Sequence, residues 1–120
     1  MEITQHTVGG VTVLTLKGRL VTEDGDAVRI AIDALVQQGR VELVVDLQDV
    51  TYIDSSGLGL LVSKYVSVRR GGGDVKLLHL TPRSSHLFAI THLTEVFEVF
   101  DSEADAVRAF GSSSSQAHTV

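Results

Sequence analysis

The spacing of apolar positions changes several times along the chain, and each change marks an element. In VTVLTLKG, Val11 to Gly18, the apolar or β-branched residues Val11, Val13, Leu14 and Leu16 crowd a short run of the kind strands favour. Glu2 to Thr7 pairs with it as an antiparallel hairpin, because VGG at Val8 to Gly10 offers the positive-φ residues of a tight reversal. From Ala27 the period lengthens. Ala27, Ile30, Ala31, Ala34 and Leu35 recur at helical spacing, with Val28, Ile32 and Val36 as a second stripe, so the helix has one wide apolar face and stops at Gly39. VELVVDL, Val41 to Leu47, then carries three consecutive apolar residues, Leu43 to Val45, and reads as a central strand buried on both faces.

Leu58, Leu61, Val62, Tyr65 and Val66 follow the i, i+3, i+4, i+7, i+8 rule of a second helix. Gly71 to Gly73 end it, behind Arg69 and Arg70, whose charges suit its negative end. DVKLLHL, Asp74 to Leu80, is a further strand; Thr81 as N-cap and Pro82 at the first helical position open a third helix to about His92. VFEVF, Val96 to Phe100, alternates like a short strand, and Ser102 with Asp105 resembles a capping box opening a last helix through Phe110. The order β-β-α-β-α-β-α-β-α predicts an α/β fold, a mixed β-sheet with helices packed against it. The domain spans 1–110, and the small, polar GSSSSQAHTV at 111–120 is expected to form a flexible Ser-rich tail.

Composition narrows the chemistry. At 120 residues the chain accommodates one small domain, and 43% hydrophobic with 21% charged residues is ordinary for a globular one. A formal charge of -5 argues against a broad nucleic-acid surface. The lack of cysteine removes disulfides and thiolate metal sites, and no apolar run nears the roughly 18 residues of a spanning helix, so a cytoplasmic protein without membrane insertion is expected.

One stretch concentrates reactive and permissive residues: YIDSSGLGLL, Tyr52 to Leu61, with Asp54, Ser55, Ser56, Gly57, Leu58 and Gly59 between strand and helix. Three readings compete. A serine nucleophile needs a base and an orienting acid, but no G-x-S-x-G occurs; His79, His86 and His92 stand apart in sequence, and no two histidines have the i, i+4 spacing of a helical metal pair. A phosphate cradle has Gly57-Leu58-Gly59 at a helix start in its favour, yet Val62 takes the third small position and no P-loop is present. The third reading is a modified surface serine. If Asp54 or Ser55 caps the helix, a hydroxyl is presented at its positive end, where a phosphate would add about -1.5 to -2 of charge. Gly57 and Gly59 would then leave room for a partner backbone, and Leu60, off the main stripe, is a candidate partner-facing residue. The simplest alternative is that Asp54 and Ser55 only cap a helix.

VELVVDLQDVTYIDSSGLGLLV, with KLLHL and HLFAITHLTEVFEVF after it, resembles the STAS domain of bacterial anti-sigma factor antagonists, over Glu2 to Phe110 and with a D-S-[ST]-G-L-G core. The resemblance implies a non-enzymatic binding module without cofactor. Unphosphorylated, such a module binds an anti-sigma factor that is also a serine kinase, and so releases a sigma factor; phosphorylation of the serine after the motif Asp blocks this, and a PP2C-type phosphatase restores it. Carried over, the acceptor is Ser55, Asp54 is its motif carboxylate, Ser56 holds the Ser/Thr place, and Gly57, Leu58 and Gly59 match directly. The chain departs from the family at G-x-[LI]-D, where GRLV has Val21 in the Asp place, with Glu23, Asp24 and Asp26 following. The resemblance also admits a rival role, that of a non-enzymatic subunit in a stressosome-like or lipid-transport ABC complex.

Overall fold

The structure, a computed structural model, describes residues 1–119, with side chains through Gly111. Its elements are β1 (Glu2–Val8), β2 (Val11–Leu20), α1 (Thr22–Gln37), β3 (Glu42–Ile53), α2 (Ser55–Arg70), β4 (Asp74–Leu78), α3 (Pro82–Ile90), β5 (Val99–Phe100) and α4 (Glu103–Thr119), with a single 3-10 turn at Leu93–Glu95. The strands form one sheet in the order β1-β2-β3-β4-β5; β1 is antiparallel to β2, and the others run parallel. This is the mixed α/β sheet and the element order that the apolar periods predict, with β3 at the centre.

Each helical crossover from β2 to β5 moves one strand over in the same direction. Right-handed crossovers that step one way leave their helices on a single face, and the core divides accordingly. Val28, Ile32 and Leu35 of α1, Leu61 and Val68 of α2 and Phe88 of α3 pack with Leu14, Leu16, Leu43, Val45, Leu47, Val75 and Leu77. The alternate strand positions Val11, Val13, Val44 and Leu78 pack instead with Ala106 and Phe110 of α4, which alone covers the reverse face. Beneath α4, the buried Lys76 Nζ reaches Glu98 Oε1 at 2.5 Å and Asp74 Oδ2 at 3.0 Å and lies 4.7 Å from the Phe110 ring centroid. Burial alone would lower its ammonium pKa, but the hydrogen bonds and charges of Glu98 and Asp74 outweigh that and hold it above the ordinary value.

Several boundaries differ from expectation. α1 starts at Thr22, not Ala27; its N-cap, Val21, makes no side-chain cap bond, so no capping signature advertises the start. Its buried stripe is Val28, Ile32 and Leu35, whereas Ile30 is 60% exposed. β3 continues to Ile53, through Gln48, Asp49, Thr51 and Tyr52, where register shifts in its pairing with β2 break the alternation. β5 shrinks to Val99–Phe100, because the 3-10 turn and the Phe97 N–H to Leu93 carbonyl bond swing Phe97 into the core against the rings of Tyr65 and Phe88. α3 ends at Ile90 rather than His92. α4 continues past Phe110; the side chains of 112–120, and the expected tail with them, lie outside the described residues.

Candidate functional site

The DSSG stretch sits where the parallel strands β2 and β3 end and α2 begins. Asp54 is extended, with φ -93° and ψ -179°, and its Oδ1 accepts the Gly57 N–H at 2.8 Å while its carbonyl accepts the Leu58 N–H at 3.0 Å. Of the two capping candidates, Asp54 is therefore the N-cap, and its carboxylate faces the positive end of α2. Its own N–H donates to the Leu20 carbonyl at 3.2 Å, which ties the motif to the end of β2.

That tie explains Gly57. It is buried, and a Cβ there would stand 2.2 Å from the Leu20 carbonyl oxygen, well inside any van der Waals contact. The space expected for a partner is filled at Gly57 by the chain itself. At Gly59 the expectation of room holds, since nothing lies within 4 Å of a would-be Cβ. Leu58 is half-buried against the core, and so is Leu60, which also borders Gly25 of α1; Leu60 therefore joins the helix packing from which its spacing had set it apart.

The two serines differ. Ser56 is exposed but accepts a hydrogen bond from Thr22 Oγ1 at 3.0 Å. Ser55, the first residue of α2, is exposed, and among the described residues its hydroxyl has no hydrogen-bond partner. Neither is bonded to a histidine: His79 Nδ1 pairs with Asp46 Oδ1 at 3.2 Å, His6 Nε2 with Glu103 Oε2 at 3.1 Å and His92 Nδ1 with Glu95 Oε2 at 3.9 Å, so none of these imidazole–carboxylate pairs among the described residues holds a serine. No group of three or more His, Cys, Asp or Glu among the described residues is placed to hold a metal ion.

The β2–α1 junction flanks the motif through the Thr22–Ser56 bond. Val21 is 8% exposed, and its carbonyl accepts from the Asp24 and Gly25 N–H groups, both at 3.0 Å. Of the acidic residues beyond it, Asp24 meets the Met1 amine at 3.4 Å and Asp26 meets Arg29 at 3.1 Å; none bonds to Asp54–Gly59. A feature that periodicity did not reveal lies on the opposite flank. There Tyr52, 42% exposed, has the Arg19 guanidinium 5.6 Å from its ring centroid and borders a groove of about 280 Å³ against α3. The only sequence sign of it was the aromatic residue two places before Asp54.

Residues 2–106 match the family model described as STAS domain. An anti-sigma-B factor antagonist of Bacillus subtilis is 33% identical over 86 residues, covering 72% of this chain and 78% of the relative. An anti-sigma F factor antagonist of Paenibacillus polymyxa is 28% identical over 99 residues, covering 82% and 85%. In structure, the chain is similar to an anti-sigma factor antagonist from Mycobacterium paratuberculosis with a TM-score of 0.81 and 25% identity, over 90% of this chain and 92% of that one.

Proposed function

The chain belongs to the STAS domain family, and on that premise we propose that it is an anti-sigma factor antagonist switched by phosphorylation of Ser55. Unmodified, it binds an anti-sigma factor that is a serine kinase and so frees a sigma factor; a PP2C-type phosphatase resets it. The antagonist role is supported by the names of its relatives. One observation carries the choice of acceptor: Asp54 caps α2, which leaves the Ser55 hydroxyl exposed and uncommitted, while Ser56 is engaged by Thr22.

The electrostatics suit a switch that leaves the fold intact. A phosphate on Ser55 meets the positive end of α2, which favours anions by about 0.3–1 kcal/mol, and it sits beside Asp54 in a chain of net charge -5. A partner surface laid over the loop would have to desolvate that new charge, which is costly without a matching cation. The exchange therefore falls on the interface.

The test is incubation with ATP and a purified anti-sigma factor serine kinase from the same organism, followed by site mapping by mass spectrometry. One phosphate on the wild type and on Ser56→Ala, and none on Ser55→Ala, is the expected pattern. Label on Ser56 instead, or kinase binding by Ser55→Asp as tight as by the wild type, would reject the switch.

A further inference from the structure

We propose that the free edge of β1 pairs with β1 of a second copy of this chain about a two-fold axis, joining two sheets into one. The two ends of the sheet differ. At one, β5 has only two residues, Val99–Phe100, with Glu98 and Asp101 on either side, a short and charged edge of the kind that resists further pairing. At the other, β1 runs for seven residues, Glu2–Val8, and among the described residues pairs only with β2, in a register without a bulge. Its sequence, EITQHTV, holds no proline, lysine or arginine, and Ile3, Thr4, Thr7 and Val8 are β-branched. Every residue of β1 but Ile3 is exposed. The outward N–H and C=O groups of such a strand are a template for another.

What fits that edge is its own copy. A two-fold axis normal to the sheet keeps each side chain on its face, so the strand lies antiparallel to itself with its middle residue, Gln5, on the axis. Gln5 then faces Gln5 of the second copy, Thr4 faces its His6, Ile3 its Thr7 and Glu2 its Val8. No like charges stand opposite one another, although each chain carries a net charge of -5. Glu2, the only acidic residue of β1, falls diagonal to His6 of the second copy on the same face, about 7–8 Å away. The helix above the edge is equally permissive. Gly25 abuts Leu60 and Asp33 reaches Lys64 at 2.8 Å, which turns that flank of α1 toward α2. The opposite flank, on the β1 side, carries Ala27, Ile30, Ala31 and Ala34 and no charge beyond the first turn, with Ile30 60% exposed. In the pair these two flanks face each other, and charge is kept out of the seam. One strand edge is a small interface, so the pairing is weak and depends on concentration. The DSSG loop lies at the end of β2, beside the start of β1. The axis therefore sends the two loops to opposite ends of the doubled sheet, and the pair is a bivalent form with both Ser55 hydroxyls accessible.

The chain contains no cysteine, so single cysteines report proximity between copies. Oxidation of Gln5→Cys, whose two sulfurs would meet on the axis within reach of a disulfide, should convert the full chain to a covalent dimer. Gln37→Cys, also exposed but at the end of α1, should stay monomeric under the same treatment. Sedimentation velocity over a concentration series should show a wild-type dimer that is lost in Gln5→Lys, where two ammonium groups would oppose each other. Because Gln5 is exposed, the melting temperature of Gln5→Lys should match the wild type. A monomeric wild type at every concentration, together with no disulfide in Gln5→Cys, would overturn the proposal. So would equal linking of Gln37→Cys, and so would a wild-type dimer that Gln5→Lys leaves intact, which would assign the contact to another surface. None of these readouts involves a kinase or Ser55, so their failure leaves the switch standing.

Discussion

Gly57 and Gly59 look equivalent in the motif and are not. A Cβ at position 57 would meet the backbone oxygen of Leu20, which cannot rotate away, so Gly57→Ala is expected to destabilise the domain by about 2–3 kcal/mol, in the range of overpacking. Gly59 faces open space inside a helix, where replacing Gly by Ala gains about 0.5–1 kcal/mol. Urea unfolding of both variants checks the pair; equal and opposite signs to these would refute the packing account. Asp54 allows a similar contrast. Asp54→Asn keeps an acceptor for the Gly57 N–H, while Asp54→Ala loses it at a cost of about 1 kcal/mol. The same measurement should order the wild type and Asn variant above the Ala variant.

At the scale of elements, α4 is held by contacts unlike those of the other helices, an apolar pair, Ala106 and Phe110, closing over a buried ammonium. Phe110→Ala should cost about 3–5 kcal/mol, as for a buried aromatic, read from the shift of the urea midpoint. Because folding raises the Lys76 pKa above its ordinary 10.5, its contribution is whole below that value and fades as pH climbs through the folded one. In Lys76→Met, unfolding free energy should fall less steeply above pH 10.5 than in the wild type; parallel curves would remove Lys76 from the account. How far such elements were legible in the sequence depended on local signals. Thr81 and Pro82 opened α3 where expected because a cap and a first-turn proline are local chemistry, and the Thr81 hydroxyl does accept from the Ser84 N–H at 3.1 Å. The start of α1 was hidden because Val21 caps nothing, and Gly25 in the first turns argues against a helix until Leu60 is seen beside it. The far half of β3 was hidden because β3 carries an extra residue at each of two register shifts against β2, and these interrupt its alternation. Within the site, the cap and the exposed serine were readable from DSSG, but the role of Gly57 depends on Leu20, distant in sequence, and the groove needs α3 brought against β3.

For the whole molecule, the proposed switch and the fold are energetically separate. Ser55→Asp should leave the unfolding free energy within about 1 kcal/mol of the wild type, the scale of a charge at a helix end, while kinase binding falls sharply; loss of stability on that scale or beyond, parallel with loss of binding, would instead make the phosphate a folding defect. Among the described residues no helix is long and apolar enough to cross a membrane. The sheet also carries a consequence for biosynthesis. Its strands lie side by side in the order in which a ribosome would deliver them, so each new crossover can dock on a strand already made. Only the reverse face waits: Val11, Val13, Val44 and Leu78 have no cover until α4, the last element among the described residues, has emerged. The nascent chain is thus stickiest before α4 is made, and the window for chaperone capture closes with the arrival of Phe110.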